Sequence, residues 1–139
     1  TQQRGQSMSI QNATLKENAT SLTVVGGDDL VFTTDGETVK SGVHTSAAAV
    51  TDFRIRPQIT LQNRNPRLVN GVFTKGKRTI KAVFPKILAD GSISYNVWRH
   101  ECEVHPECSV AEYDNQALIN AQILSQTAYR NFLLTGSLE

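Results

Sequence analysis

The stretch Lys77–Lys86 (KRTIKAVFPK) alternates with a period of two, and this alternation limits the fold more than any other feature of the chain. Ile80, Ala82 and Phe84 fall on one side; Lys77, Thr79, Lys81 and Val83 fall on the other. Successive side chains of a β-strand point to opposite faces of its sheet. This strand therefore needs apolar cover on one face and leaves the other to water or a polar partner. Pro85 has no N–H to give to a ladder and limits the strand near its end.

Two further stretches share the period. In Phe53–Asn63, Arg54, Arg56, Gln58, Thr60 and Gln62 alternate with Phe53, Ile55, Ile59 and Leu61, with Pro57 on the apolar side asking for an edge or a bulge. In Tyr95–His105, Trp98, Cys102 and Val104 share a face with Asn96 and His100. Arg99, Glu101, Glu103 and His105 share the other with Tyr95 and Val97. Trp98 is expected in the core. Asn63–Gly76 reads as a long connection, and Asp90-Gly91 marks a hairpin loop within Ile87–Ser94. Upstream, residues 1–7 read as a tail, and Ser9–Glu17 with Ser21–Val25 as a hairpin. Leu30–Thr34 and Thr38–His44 follow as strands, separated by the Asp35-Gly36 turn, and Ser46–Asp52 as a connection.

After Pro106 the period changes. Val110, Tyr113, Ala117, Ala121 and Leu124 recur at helical spacing, flanked by Ile119 and Ile123. Ser109, with Glu112 three residues on, forms a capping-box pattern. A second helix over about Thr127–Leu134 follows a break at Ser125-Gln126, with Gly136 just past its end. Strands followed by helices predict an α+β fold: an antiparallel sheet with helices on one face. The 139 residues fit one domain, divided into a tail (1–7), a hairpin and sheet (8–105) and a helical segment (106–139). One sheet with so thin a helical cover is a poor core for a monomer, and the helices can instead pack on a partner's sheet.

Charge points to the partner. Net charge is only +1, yet Arg54–Lys86 holds nine basic residues and no Asp or Glu. Such a block suits a polyanion. Other chemistry finds little support. No apolar run reaches the roughly 18 residues of a membrane span, and the polar start of the chain has no signal-peptide pattern. Two cysteines are too few for a disulfide framework, so a reducing compartment is expected. His100, Cys102, His105 and Cys108 are metal-ligand types, but the strand period sends His105 to the opposite face from His100 and Cys102. No nucleophile–base constellation and no phosphate loop occurs. Glu101 and Glu103 read as solvated carboxylates rather than an acid–base pair. No enzyme activity, cofactor, metal or small-molecule substrate is expected.

Lys77-x-Thr79-Ile80-Lys81 followed by Pro85-Lys86, then Trp98-Arg99, then two closing helices, resembles the coat proteins of single-stranded RNA bacteriophages, the levivirus family. The likeness covers Phe53–Leu134 and extends to the N-terminal hairpin by pattern. It implies an N-terminal hairpin, a five-stranded antiparallel sheet and two helices. It further implies an interlocked homodimer with a ten-stranded sheet, in which each subunit's helices clasp the other's sheet. Such dimers close into an icosahedral shell, typically T=3, in a virion made in the bacterial cytoplasm. The loop Ile87–Ser94 then meets its copies about the symmetry axes. That loop has no cysteine, so no covalent cross-linking is expected there.

The resemblance also implies that the inward sheet face binds viral single-stranded RNA, including a hairpin through which the protein represses translation. Thr79 and Lys81 match the motif directly; Arg56, Gln58 and Thr60 match polar positions of the preceding strand. With the neighbouring positions of the same face, the candidate RNA-binding set is Arg54, Arg56, Gln58, Thr60, Lys77, Thr79, Lys81, Arg99, Glu101 and Glu103. Glu101 and Glu103 depart from the family, which places aromatic and amide side chains there; Tyr95 on the same face offers a stacking surface. The alternative is a small cellular nucleic-acid-binding module that does not assemble.

Overall fold

The computed structural model describes residues 11–17 and 26–138. The expected tail at residues 1–7 and the expected strand Ser21–Val25 lie outside them. The chain divides into two compact units, Thr1–Val104 and His105–Glu139.

The first unit is an antiparallel sheet of six strands. In chain order these are β1 (Asn12–Glu17), β2 (Asp28–Thr34), β3 (Gly42–Ser46), β4 (Gln58–Arg64), β7 (Gly76–Ile87) and β8 (Ile93–Val104). They lie side by side in that order. A separate two-stranded ribbon, β5 (Leu68–Val69) with β6 (Val72–Phe73), interrupts the connection from β4 to β7. The expected hairpin and sheet are thus continuous, joined where Thr33 and Thr34 of β2 pair with Ser46 and Thr45 of β3. β1 pairs with β2, Asn12 opposite Thr33 through Glu17 opposite Asp28. Within the described residues, β1 therefore has β2 as its partner. Lys16 and Asp29, opposite each other, form an ion pair.

The alternating stretch Lys77–Lys86 is the middle of β7, which pairs along its whole length with β8. The two are joined at Asp90-Gly91, where Gly91 takes φ 86°. The Asp90 carboxylate accepts from the Ser92 N–H and hydroxyl at 3.0 and 2.6 Å.

Several expectations change, among them the strand over Thr38–His44, which runs instead from Gly42 to Ser46. Phe53–Asn63 is not one strand. Phe53–Ile55 forms a 3-10 turn capped by Asp52, whose side chain accepts from the Arg54 N–H, and the strand starts only at Gln58, after Pro57. The expected connection Asn63–Gly76 holds the β5–β6 ribbon, turned at Asn70-Gly71 with φ 50° and 78°. Both central residues of such a tight turn need positive φ, which Asn-Gly supplies at low cost. Trp98 is not in this chain's core: it is 43% exposed.

The core itself is small and sits at β2 and β3. Among the described residues, Phe32 and Ala47 are the buried hydrophobic side chains, joined by His44, Thr45 and Ser46 of β3. Thr45 donates its hydroxyl to the Ile59 carbonyl at 2.9 Å, which satisfies a polar group that burial would otherwise penalise. Ile80 and Phe84 of β7 are exposed, as Trp98 is.

The second unit is α1 (Val110–Ser125) and α2 (Thr127–Thr135). Ser109 caps α1 by accepting from the Glu112 N–H. Gln126, extended at φ −73° and ψ 140°, separates the helices, and Gly136 closes α2 in the left-handed region at φ 77°. Neither helix has a buried residue; Val110, at the head of the apolar stripe, is 77% exposed.

Gly42 marks a close approach between β3 and β4. A Cβ there would collide with the Leu61 carbonyl oxygen, a backbone atom that cannot swing away. Gly42→Ala should lower the thermal midpoint by the equivalent of about 1–3 kcal/mol, the usual cost of overpacking. A midpoint equal to that of the wild type would show that β3 shifts freely.

Candidate nucleic-acid interface

Residues directly opposite across a ladder share a face, so strand register decides which candidates meet. Thr60 of β4 lies opposite Lys81 of β7, which lies opposite Arg99 of β8. Gln62 lies opposite Thr79, and Thr79 opposite Glu101. Arg64 lies opposite Lys77, and Lys77 opposite Glu103. Gln58 lies opposite Val83, and Val83 opposite Val97. Gln58, Thr60, Lys77, Thr79, Lys81, Arg99, Glu101 and Glu103 therefore all stand on one face.

This face forms an open concavity of about 590 Å³. Its lining carries the cations Lys40, Arg64, Arg67, Lys77, Lys81 and Arg99, the single carboxylate Glu101, and the polar side chains of Thr60, Gln62 and Thr79. The carboxylates are held by cations of β7 and β4. Glu101 Oε1 is 3.3 Å from Lys77 Nζ, and Glu103 Oε1 is 4.0 Å from an Arg64 guanidinium nitrogen. Pairs this exposed contribute little stability and exchange readily. Among the described residues, Lys81 and Arg99 have no ion-pair partner. The centre of the face therefore carries unpaired cations, while at the Lys77 end the two carboxylates offset part of the cationic charge.

Arg54 and Arg56 do not join this face. Arg54 sits in the 3-10 turn with its guanidinium on Asp52, at 3.1 and 3.0 Å. That pairing raises the Arg54 pKa and holds the Asp52 carboxyl below its ordinary range. Arg56 donates to the Val50 carbonyl at 2.8 Å and lies 4.4 Å from the centre of the Phe53 ring. A charged side chain stacked and hydrogen-bonded in this way braces the loop before β4.

Three contributors were not singled out in the sequence. Lys40 precedes β3 and reaches the concavity only through the fold. Arg67 belongs to the acid-free block but falls in a stretch with no periodic signal. His44 lies opposite Thr60 and extends the central row to β3. It is buried, 6% exposed, with Nδ1 2.8 Å from Asp35 Oδ2 and Nε2 3.2 Å from Gln58 Oε1. Burial alone lowers its pKa, but hydrogen bonds to Asp35 and Gln58 and the charges of Asp35 and Glu37 reverse the shift, and the pKa is raised. Burial likewise pushes Asp35 up, and the contacts with His44 and the Glu37 N–H bring it below the ordinary range.

No protein-family model matches the chain, and no curated protein matches it. Solved structures do. The virus-like particle of bacteriophage GQ-907 superposes with a TM-score of 0.78 at 36% identity, over 94% of this chain and 100% of that one. The chain belongs to the levi-like bacteriophage coat proteins. More distant particles share the coat-protein fold. That of bacteriophage AVE019 matches at TM-score 0.70 and 11% identity, over 95% of this chain and 99% of that one. That of Beihai levi-like virus 21 matches at 0.69 and 14%, over 94% and 98%. The coat protein is a structural component of the capsid, located in the virion, and not an enzyme. The cellular binding module gives way to this role.

The His44–Asp35 pair should leave a mark on the coat protein's stability. A raised histidine pKa contributes stability that is full below the unfolded value of about 6.5 and is lost as pH rises through the folded value. A lowered aspartate pKa contributes stability above about 3.8 and loses it as pH falls through the folded value. Calorimetric midpoints should therefore decline on both sides of this window. His44→Gln should flatten the alkaline decline; the same slope in the variant would assign it to another group.

Proposed function

We propose that this coat protein dimerises, assembles into an icosahedral shell and packages the phage's single-stranded RNA against the polar face of its sheet. The observation that carries the RNA reading is the register. It sets Thr60, Lys81 and Arg99 in one row, with cations that have no partner among the described residues, and Gln58, Thr79 and Lys77 beside them. Lysine and arginine engage phosphates through charge, and releasing counterions favours the contact. Threonine and glutamine offer hydrogen bonds to the edges of unstacked bases. Arg54 and Arg56 are not part of this proposed set. Translational repression through an RNA hairpin is a further use of the same face.

Assembly is supported from the opposite face. Ile80, Phe84 and Trp98 lie uncovered on it, and the helices bury none of their side chains. Contiguous apolar surface of this kind marks an interaction site. On this reading the domain is one coat-protein unit, and residues 106–139 of each subunit clasp the sheet of the other. The two sheets join into one of more strands than either chain holds. The virus-like particles of bacteriophage GQ-907 and its fold relatives supply the precedent for a closed shell.

Expressed alone, the full chain should elute as a particle of megadalton size that protects RNA from nuclease. A dimer that forms no particles in the electron microscope would count against assembly. Lys81→Ala should keep the dimer but weaken RNA binding and reduce the slope of log K against log salt by roughly 0.7, the value for one phosphate contact to a single strand. An unchanged slope would remove Lys81 from the site. Trp98→Ala should raise the dimer's dissociation constant by at least about tenfold, since a large buried aromatic typically counts for more than 1.4 kcal/mol at an interface. Unaltered dissociation in sedimentation runs would place Trp98 outside the contact.

A further inference from the structure

Among the described residues, His44 is the buried titratable side chain, and every group around it is accounted for. Asp35 lies 2.8 Å and Glu37 3.4 Å from Nδ1, both from the turn that follows β2. From β4 it faces Thr60, which is uncharged, and the amide of Gln58. Further along the same row stand Lys81 and Arg99.

A carboxylate can only accept, so Nδ1 keeps its proton in both charge states of the ring. The proton that comes and goes is on Nε2. With it, Nε2–H donates to Gln58 Oε1, and the Gln58 NH2 group is left for whatever lies on the sheet face. Without it, Nε2 can only accept. The Gln58 amide must then turn over, donate its NH2 to Nε2 and leave Oε1 outward. Among the described residues, nothing else holds the amide: its contact is with His44.

We propose that His44 is a positioning residue that selects which end of the Gln58 amide faces RNA, so that the face reads keto bases when the ring is charged and amino bases when it is neutral. Guanine O6 and uracil O4 accept from an outward NH2; cytosine N4 and adenine N6 donate to an outward Oε1. A glutamine free to offer both ends at once would bind adenine in a bidentate manner. One end tied to His44 removes that option. The carboxylates of Asp35 and Glu37 favour the charged ring, which places the change above the ordinary histidine range. This inference rests on the RNA-binding reading of the face.

The test is anisotropy of labelled octauridine and octacytidine with the chain at low concentration, from about pH 6 to about pH 8, a range in which histidine titrates. The preference for octauridine over octacytidine should fall by at least about threefold across this range, the weight of one hydrogen bond exchanged. Gln58→Glu, which presents only acceptors, should favour octacytidine throughout with a flat profile. Nitrogen-15 shifts of His44 in the wild type should show Nε2 titrating and Nδ1 protonated at every pH, and the backbone amide spectrum of each protein reports that it is folded. A constant base preference in the wild type with both oligomers bound, or titration at Nδ1, would overturn the inference alone. Failure of both oligomers to bind at every pH would overturn the RNA reading with it.

Discussion

The period-two alternation of β7 sets two opposite demands, and one chain cannot meet both. Ile80, Ala82 and Phe84 need apolar cover, while Lys77, Thr79 and Lys81 on the other side need a polar medium or an anion. Twelve residues of β7 paired to twelve of β8 extend this division across a wide surface. Against that surface the chain buries Phe32 and Ala47 as its hydrophobic core among the described residues. A fold of this length ordinarily hides about two-thirds of its unfolded surface. The shortage is the physical argument for the proposed assembly with other copies of the chain.

The register then converts one strand's pattern into a site. β7 alone would offer a line of Lys77, Thr79 and Lys81. Pairing with β4 and β8 adds Thr60 and Arg99 to the Lys81 row and places Glu101 beside Lys77. The Asp35-Gly36 turn matters at the edge of this array. It folds Asp35 and Glu37 back against His44, which is enclosed and tied to Gln58.

Much of this was legible in the residues, and the failures have physical causes. The faces of β7 and β8, the helix pair, its Ser109 cap and its break at Gln126 follow from periodicity and local chemistry. The N-terminal half of Phe53–Asn63 also alternates, yet it is not strand. Asp52 captures both the N–H and the guanidinium of Arg54, and Pro57 withholds a ladder donor, so local bonds outcompete the sheet. The β5–β6 ribbon was announced by Asn70-Gly71 between Leu68-Val69 and Val72-Phe73; its strands are too short for a periodic signal. Trp98 shares a face with Cys102 and Val104, a pattern that asks for apolar cover. Its cover cannot come from the strands of its own chain, which the alternation alone does not reveal.

The glutamates give the face a direction. At the Lys77 end, Glu101 and Glu103 take up the charge of Lys77 and Arg64. In the middle, Lys81 and Arg99 are left without an anion among the described residues. Beyond them, Val83 faces Val97 and Pro85 faces Tyr95, so the far end is apolar and aromatic. A uniformly cationic sheet would attract RNA with no preferred placement. A face that passes from ion-paired cations through unpaired ones to an aromatic end favours one placement, on the proposed reading. Phosphates gather at the centre, and an unstacked base lies toward Tyr95, since stacking tolerates any base while charge does not reach that far. Carboxylates on an RNA surface are then no contradiction: they mark where the backbone is not held.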